Sequence, residues 1–304
     1  MPKTLISIVG PTAIGKTLLS IQLAKHFNTE IISADSRQFF KEMTIGTAVP
    51  TTIELSSVKH HFIHHKSIED EYSVGAFEKD AVSKLDDLYK IHDVVIMVGG
   101  SGLYVDAVTN GLDEFPKIDP KIRKELNKKL KTEGLKVLQE QLSNLDIDAY
   151  DTIAIDNPHR IIRALEVCIG SGQPYSSFLS KSKSNRNFKT MTLGLTAERD
   201  IIYNRINERV DNMIENGLIE EAKSLFSKQH LNALNTVGYK ELFNFFKDEW
   251  TLDFAISEIK KNSRRFAKRQ LTWFKKNDDI VWFDFKTDIN EIIECIENKM
   301  KVEC

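Results

Sequence analysis

Gly10-Pro11-Thr12-Ala13-Ile14-Gly15-Lys16-Thr17 has the pattern G-x-x-x-x-G-K-[ST] and follows directly on the apolar run Leu5-Ile6-Ser7-Ile8-Val9. Together they ask for one local architecture: a buried strand, a tight loop and a helix. The glycines let backbone N–H groups converge on phosphate oxygens, and the N-terminus of the following helix adds positive potential. Lys16 is placed to neutralise phosphate charge, and Thr17 to offer a hydroxyl to Mg²⁺. The pattern arises by chance in roughly one per cent of chains this long. Here the required strand precedes it, and Leu18, Leu19, Ile21, Leu23 and Ala24 continue it as a helix.

Further strands are expected at Ile31-Ile32-Ser33-Ala34, at Val94-Val95-Ile96-Met97-Val98, at residues 191–195 and at residues 280–285. A helix is expected over residues 74–89. Strands alternating with helices predict an α/β fold, a P-loop-type doubly wound parallel sheet. From about residue 115 to 188 the sequence reads as helices and loops without a clear strand. Asp119-Pro120 is a good helix start, and Ile122, Leu126 and Leu130 recur at helical spacing. The expected organisation is therefore a core at 1–114, a helical insertion at 115–188 with a polar exit at 180–187, and the rest of the core at 189–304. A long C-terminal helix is also expected, with Ile256, Ile259, Phe266 and Trp273 near one face.

The 304 residues are 41% hydrophobic and 28% charged, ordinary for a globular chain and unlike a disordered or low-complexity one. No run of about 18 apolar residues suggests a membrane span, and the N-terminus does not read as a signal peptide. The three cysteines, Cys168, Cys295 and Cys304, cannot make a disulfide framework. A cytoplasmic protein is the expectation.

The phosphate loop lacks a usual companion. P-loop hydrolases hold Mg²⁺ with an acid at the end of a neighbouring strand, yet Val94-Val95-Ile96-Met97-Val98 runs into Gly99-Gly100-Ser101. The acid at a strand end is Asp35. One carboxylate beside a diphosphate-sized cradle suits a general base that activates an acceptor. Local sequence also permits a plain helix cap in Asp35-Ser36.

The loop together with Asp35-Ser36-Arg37-Gln38, Ile45-Gly46-Thr47-Ala48 and Gly99-Gly100-Ser101-Gly102-Leu103-Tyr104 resembles the tRNA dimethylallyltransferases of bacterial type. The resemblance continues in Asn157-Pro158-His159-Arg160-Ile161-Ile162-Arg163-Ala164-Leu165-Glu166, in Val237-Gly238-Tyr239-Lys240 and in Ala267-Lys268-Arg269-Gln270-Leu271-Thr272-Trp273. It implies transfer of the dimethylallyl group of dimethylallyl diphosphate to N6 of the adenosine 3′ of the anticodon, with diphosphate released. Residues 10–17 then hold the donor's diphosphate, and Lys16, Thr17 and Mg²⁺ stabilise its departing charge. Asp35 takes the N6 proton, Ser101 contacts the adenine and Arg209 the diphosphate. By local sequence alone Arg209 is a surface helix arginine.

The resemblance also implies tRNA contacts from Asp35, Ser36, Arg37 and Gln38, from His159, Arg160, Ile161, Ile162 and Arg163, and from Arg123. The C-terminal helix is expected to add Lys268 and Arg269. The implied partner is the anticodon stem-loop, and a monomer is expected. Ile14, Phe40 and Lys59 depart from common family residues without removing a proposed catalytic group. No eukaryotic-type zinc finger is expected, and His60-His61-Phe62-Ile63-His64-His65 does not have metal-site spacing. An adenylate isopentenyltransferase, a small-molecule kinase and a non-catalytic P-loop RNA-binding module remain the alternatives.

The balance of 42 basic against 44 acidic residues conceals opposed regions. Residues 258–276 carry eight positive charges and one negative, and residues 119–136 seven and three. Residues 69–87 carry two positive charges and seven negative, and residues 284–303 three and six. A uniformly basic RNA-coating protein is excluded, whereas an enzyme with one basic RNA-facing side is not.

Overall fold

The computed structural model describes residues 3–179 and 186–302. Its strands are β1 (Thr4–Val9), β2 (Ile31–Ser33), β3 (His60–His61), β4 (Val94–Val98), β5 (Lys189–Thr196) and β6 (Val281–Asp284). They form one all-parallel sheet in the order β3-β2-β4-β1-β5-β6. The apolar runs read from the sequence supply five of these strands. The two-residue edge strand β3 was not among them, because two paired residues carry no periodic signal.

The period-two alternation of β1 explains why both sheet faces are covered. Leu5 and Val9 enter one core with Ile32, Val95 and Met97. This core includes Phe77, Ala81 and Leu85 of α3 (Val74–Leu88) and Val105 and Val108 of α4 (Gly102–Asn110). Ile6 and Ile8 enter the opposite core with Ile31, Ile96 and Leu193. There they meet α1 (Lys16–His26), Ile202 and Ile206 of α9 (Arg199–Glu215) and Ile292 and Ile296 of α13 (Ile289–Val302). The short helix α2 (Thr52–Ser57), closed by a Thr51/Glu54 capping box, has no buried residue.

A third core lies under the loop that follows β2. Phe40, Met43 and Ile68 pack there with α10 (Leu218–Leu225), α11 (Tyr239–Phe246) and Ile259 of α12 (Leu252–Phe274). Along α12 the buried residues are Ala255, Ile259, Ala267, Gln270 and Phe274. Phe266 and Trp273, near the same expected face as Ile259, remain 38% and 37% exposed.

Residues 111–184 form a separate compact unit, of which 111–179 are described. It holds α5 (Pro120–Glu133), α6 (Leu135–Leu145), α7 (Ile147–Thr152) and α8 (Pro158–Ser171). Asp119 caps α5, accepting from Lys121 N with Pro120 at the first helical position. Asn157 caps α8 in the same way before Pro158. The core of this unit is built from Leu126, Leu138, Leu142, Ile161, Ile162, Leu165 and Cys168. Of the polar exit expected at residues 180–187, only Arg186 and Asn187 are described. No described helix is long and apolar enough to cross a membrane.

Candidate functional site

Three sheet-end loops converge at the C-terminal ends of β1, β2 and β4, where open parallel sheets bind ligands. In the first, Gly10 has φ 139° and Gly15 φ 114°. A Cβ on Gly10 would stand 2.5 Å from the carbonyl oxygen of Leu195, so only glycine fits there. Ala13 adopts φ 65°, a strained value for a residue with a Cβ. Its carbonyl is held at 2.7 Å by Nε of Arg205 from α9. The N-cap of α1 is Gly15, without a side-chain cap or an acid in the first turn. The first N–H groups of α1 are therefore left to the loop's own concavity.

Lys16 Nζ donates to the Gly10 and Pro11 carbonyls at 3.1 and 2.7 Å. Burial lowers its pKa to about 7; the Arg209 guanidinium pushes the same way, and Asp35 opposes both. Arg209, from α9, is itself lowered by burial and raised by Asp35. The three groups therefore share one electrostatic neighbourhood, although 19 and 174 residues separate Asp35 from its two basic neighbours in sequence.

In the second loop, Asp35 Oδ1 accepts from Arg37 N at 3.0 Å, closing a turn of the chain. No helix follows Asp35 directly, so the helix cap that local sequence permits is not formed, and the carboxylate closes a turn instead. Ser36 binds Ser101 of the third loop twice: its N–H donates to Ser101 Oγ at 3.2 Å, and the two hydroxyls lie 3.1 Å apart. Gln38 donates from Nε2 to the carbonyls of Thr47 and Ala48 at 3.2 and 3.0 Å. Arg37 Nη1 donates to Asn232 and Ala233 carbonyls at 3.1 and 3.0 Å.

Two clefts open here. One, of about 230 Å³, is lined by the whole Thr12–Thr17 stretch with Asp35, Gln38, His60 and Arg209. The other, of about 640 Å³, is lined by Asp35, Ser36, Arg37, Ser101, Arg209, Arg269 and Trp273 among others. Thr12, Asp35, Gly100, Arg209, Phe266 and Gln270 line both. The carboxylate of Asp35 and the guanidinium of Arg209 thus belong to residues at the seam between a phosphate cradle and a larger neighbouring space.

Several contributors were not singled out from the sequence. Gln270 of α12 is 6% exposed, accepts from Thr12 N at 2.9 Å and donates to the Gly100 carbonyl at 2.9 Å. Glu221 accepts the backbone N–H groups of Thr44, Ile45 and Gly46 at 2.9, 2.8 and 2.9 Å and the Tyr239 hydroxyl at 2.6 Å. Gly46 lies against the Tyr239 ring, which a Cβ there would enter. Gln270, Gly46 and Tyr239 sit in the sequence blocks that carry the family resemblance, which was the available signal. Glu221 sits in none of them.

The remaining expected RNA-contact residues are on α12 and in the helical unit. Lys268 and Arg269 are exposed on α12; Arg269 lines the larger cleft and Lys268 lines neither. In the helical unit His159 and Arg160 are exposed. Arg123 grips Glu166 through Nε at 3.1 Å and Nη2 at 2.6 Å, and Arg163 Nη1 reaches the same carboxylate at 3.1 Å. Ile161 and Ile162 are 0% and 3% exposed. Their side chains pack the unit's core and do not face solvent. Among the described residues no cluster of three or more His, Cys, Asp or Glu side chains could hold a metal ion. In the histidine-rich stretch, His61 Nε2 binds Glu30 and His60 Nδ1 binds the Val58 carbonyl.

Comparison with known proteins places this arrangement. The IPP transferase family model matches residues 38–277. A tRNA dimethylallyltransferase of Christiangramia forsetii is 61% identical over 300 residues, covering 99% of both chains. The crystal structure of the full-length tRNA isopentenylpyrophosphate transferase of Bacillus halodurans superposes with a TM-score of 0.72 at 39% identity, covering 99% of this chain and 96% of that one. A eukaryotic dimethylallyltransferase, captured in crystals acting on tRNA, superposes with a TM-score of 0.79 at 26% identity, covering 95% of this chain and 75% of that one. On the extent and identity of these matches, the chain belongs to the IPP transferase family, that of the tRNA dimethylallyltransferases.

Proposed function

We propose that the protein transfers the dimethylallyl group of dimethylallyl diphosphate to N6 of the adenosine immediately 3′ of the anticodon in tRNA. The observation that carries this reading is the position of Asp35, a lining residue of both the phosphate cradle and the larger cleft. An acceptor amine in the larger cleft and a donor in the cradle meet at that carboxylate.

In the transfer, the N6 lone pair attacks C1 of the dimethylallyl group as the bond from C1 to the diphosphate oxygen breaks. Asp35 takes the proton that N6 loses. The N–H groups of residues 13–17, Lys16 and Arg209 meet the negative charge that grows on the leaving diphosphate. Burial leaves Lys16 with a pKa of about 7, and an incoming diphosphate favours its charged form. Ser101, bonded to Ser36 beside Asp35, is placed to orient the adenine.

Oxygen donors suited to a hard divalent cation are present, since Thr17 and Asp35 line the same cleft. Thr17 would hold Mg²⁺ there, and the ion would supply further neutralisation of the leaving group. To reach Asp35 the adenine leaves the anticodon-loop stack. The seven basic residues of 119–136, with His159, Arg160 and Arg163, are proposed to hold the anticodon stem by phosphate and shape. A monomer acting in the cytoplasm completes the reading. Its test is nucleoside analysis of product tRNA, with N6-dimethylallyl-adenosine expected at the position 3′ of the anticodon. Modification at any other base rejects the assignment.

A further inference from the structure

Arg205 and Arg209 stand one turn apart on α9 and so share a face of that helix. Arg209 lines both clefts, whereas Arg205 lines neither. Arg205 instead donates from Nε to the carbonyl of Ala13 at 2.7 Å, across 192 residues of sequence. Its guanidinium lies 5.1 Å from the centre of the Phe285 ring, just beyond β6. The Phe285 N–H donates to the Thr196 carbonyl at 2.9 Å, which ties the backbone behind that ring to the end of β5. Among the described residues the partners of the Arg205 guanidinium are that carbonyl and that ring.

The carbonyl that Arg205 holds belongs to a residue in the left-handed region, Ala13 with φ 65°. A residue with a Cβ keeps that conformation only where its surroundings enforce it. In a trans peptide the C=O and the next N–H point in opposite directions. With its oxygen turned to Arg205, the Ala13–Ile14 peptide therefore turns its N–H away from that arginine. Among the described residues the N–H groups of Ile14 and Gly15 have no acceptor, and both residues line the phosphate cradle. Such N–H groups in a concavity beside Lys16 and Arg209 suit anionic oxygens. From this geometry we infer that Arg205 is a positioning residue for the donor's diphosphate. It holds the Ala13–Ile14 peptide in its strained orientation, so that the cradle's N–H groups are set before the diphosphate arrives. The inference rests on the proposed donor and adds the side chain that preorganises the loop. α9 thus serves the cradle twice, with Arg209 inside it and Arg205 behind it.

The test uses the full chain. Binding of pyrophosphate with Mg²⁺ is measured by titration calorimetry, and the KM of dimethylallyl diphosphate and of an unmodified anticodon stem-loop by transfer. The parent is compared with Arg205→Met, which removes the donor, and with Arg205→Lys, which keeps one. Each is repeated in the Ala13→Gly background, where glycine reaches a positive φ without help. Arg205→Met should weaken pyrophosphate binding and raise the KM for dimethylallyl diphosphate by at least about five-fold. The KM for the stem-loop should stay within about two-fold, and Arg205→Lys should lose less than Arg205→Met. In the Ala13→Gly background the loss on Arg205→Met should shrink to about two-fold or less. Unchanged pyrophosphate affinity in Arg205→Met overturns the inference. So does an equal shift in both KM values, or a loss of the same size in the two backgrounds, since a merely structural arginine does not depend on residue 13. Should Arg205→Met fail to fold, Arg205→Lys in the two backgrounds makes the same comparison. If the parent transfers no dimethylallyl group, the functional reading itself fails, while pyrophosphate binding still decides the role of Arg205.

Discussion

Gln270 accepts a hydrogen bond from the backbone N–H of Thr12 at 2.9 Å across 258 residues of sequence. The same side chain donates to the Gly100 carbonyl, so one carboxamide of α12 fixes the phosphate loop against the loop after β4. Lys268 and Arg269 precede it directly, which puts exposed basic residues and the cradle's clamp on the same helical turn. A Cβ on Gly100 would overlap Gln270 Nε2, so any larger residue there would displace the carboxamide.

Gln270→Ala leaves Thr12 N–H and the Gly100 carbonyl without their partner. It should destabilise the protein by about 1–3 kcal/mol and raise the KM for the diphosphate donor. Gly100→Ala should also destabilise, but by less in the Gln270→Ala background, since the overlapping atom is gone. Urea unfolding of the four proteins in that cycle measures the coupling, expected at about 0.5–3 kcal/mol. Strict additivity contradicts the clamp.

Asp35→Asn keeps an oxygen that can accept from Arg37 N and removes the base. Turnover should fall by about 10² or more, with stem-loop affinity largely kept. Single-turnover rates at saturating donor check this. Parental rates in the variant would remove Asp35 from the proton transfer.

Lys268→Ala with Arg269→Ala should weaken stem-loop binding and lower the slope of log affinity against log salt by about two contacts. Fluorescence titrations between low and moderate salt read that slope. If it does not move, those two charges are merely solvated.

His65 connects the fold to pH. Its ring lies 5.3 Å from both Phe39 and Phe62 and 5.1 Å from Tyr72, and neither ring nitrogen has a hydrogen-bond partner among the described residues. Burial pushes its pKa down from 6.5 to about 4; Lys66 and Lys41 push the same way and Asp80 opposes. Because the folded value lies below the unfolded one, the native state favours the neutral ring. That contribution is complete above about pH 6.5 and is lost as pH falls toward 4. The melting temperature should therefore drop over this window, and His65→Phe should flatten the drop. An identical acid profile in the two proteins contradicts it.

The legible parts of this protein are those written in contiguous residues. The loop from Gly10 to Thr17 states its shape locally, Asp35 stands out as an acid at a strand end, and five apolar runs state the sheet. Gln270 and Glu221 act across 258 and about 176 residues, on backbone groups that no local pattern identifies. Helical periodicity marks Phe266 and Trp273 as apolar positions but cannot tell a core from a cleft wall, and the structure puts both in a cleft lining. Ile161 and Ile162 fall within a block resembling a tRNA-contacting segment, yet their place on α8 turns them inward. The two residues of β3 pair with β2 through backbone groups, which composition does not report.

The most direct measurement is mass spectrometry of unmodified tRNA incubated with the protein, Mg²⁺, dimethylallyl diphosphate and ATP together. The account predicts one dimethylallyl group on tRNA, with ATP left intact. Consumption of ATP with no prenylated tRNA would contradict it.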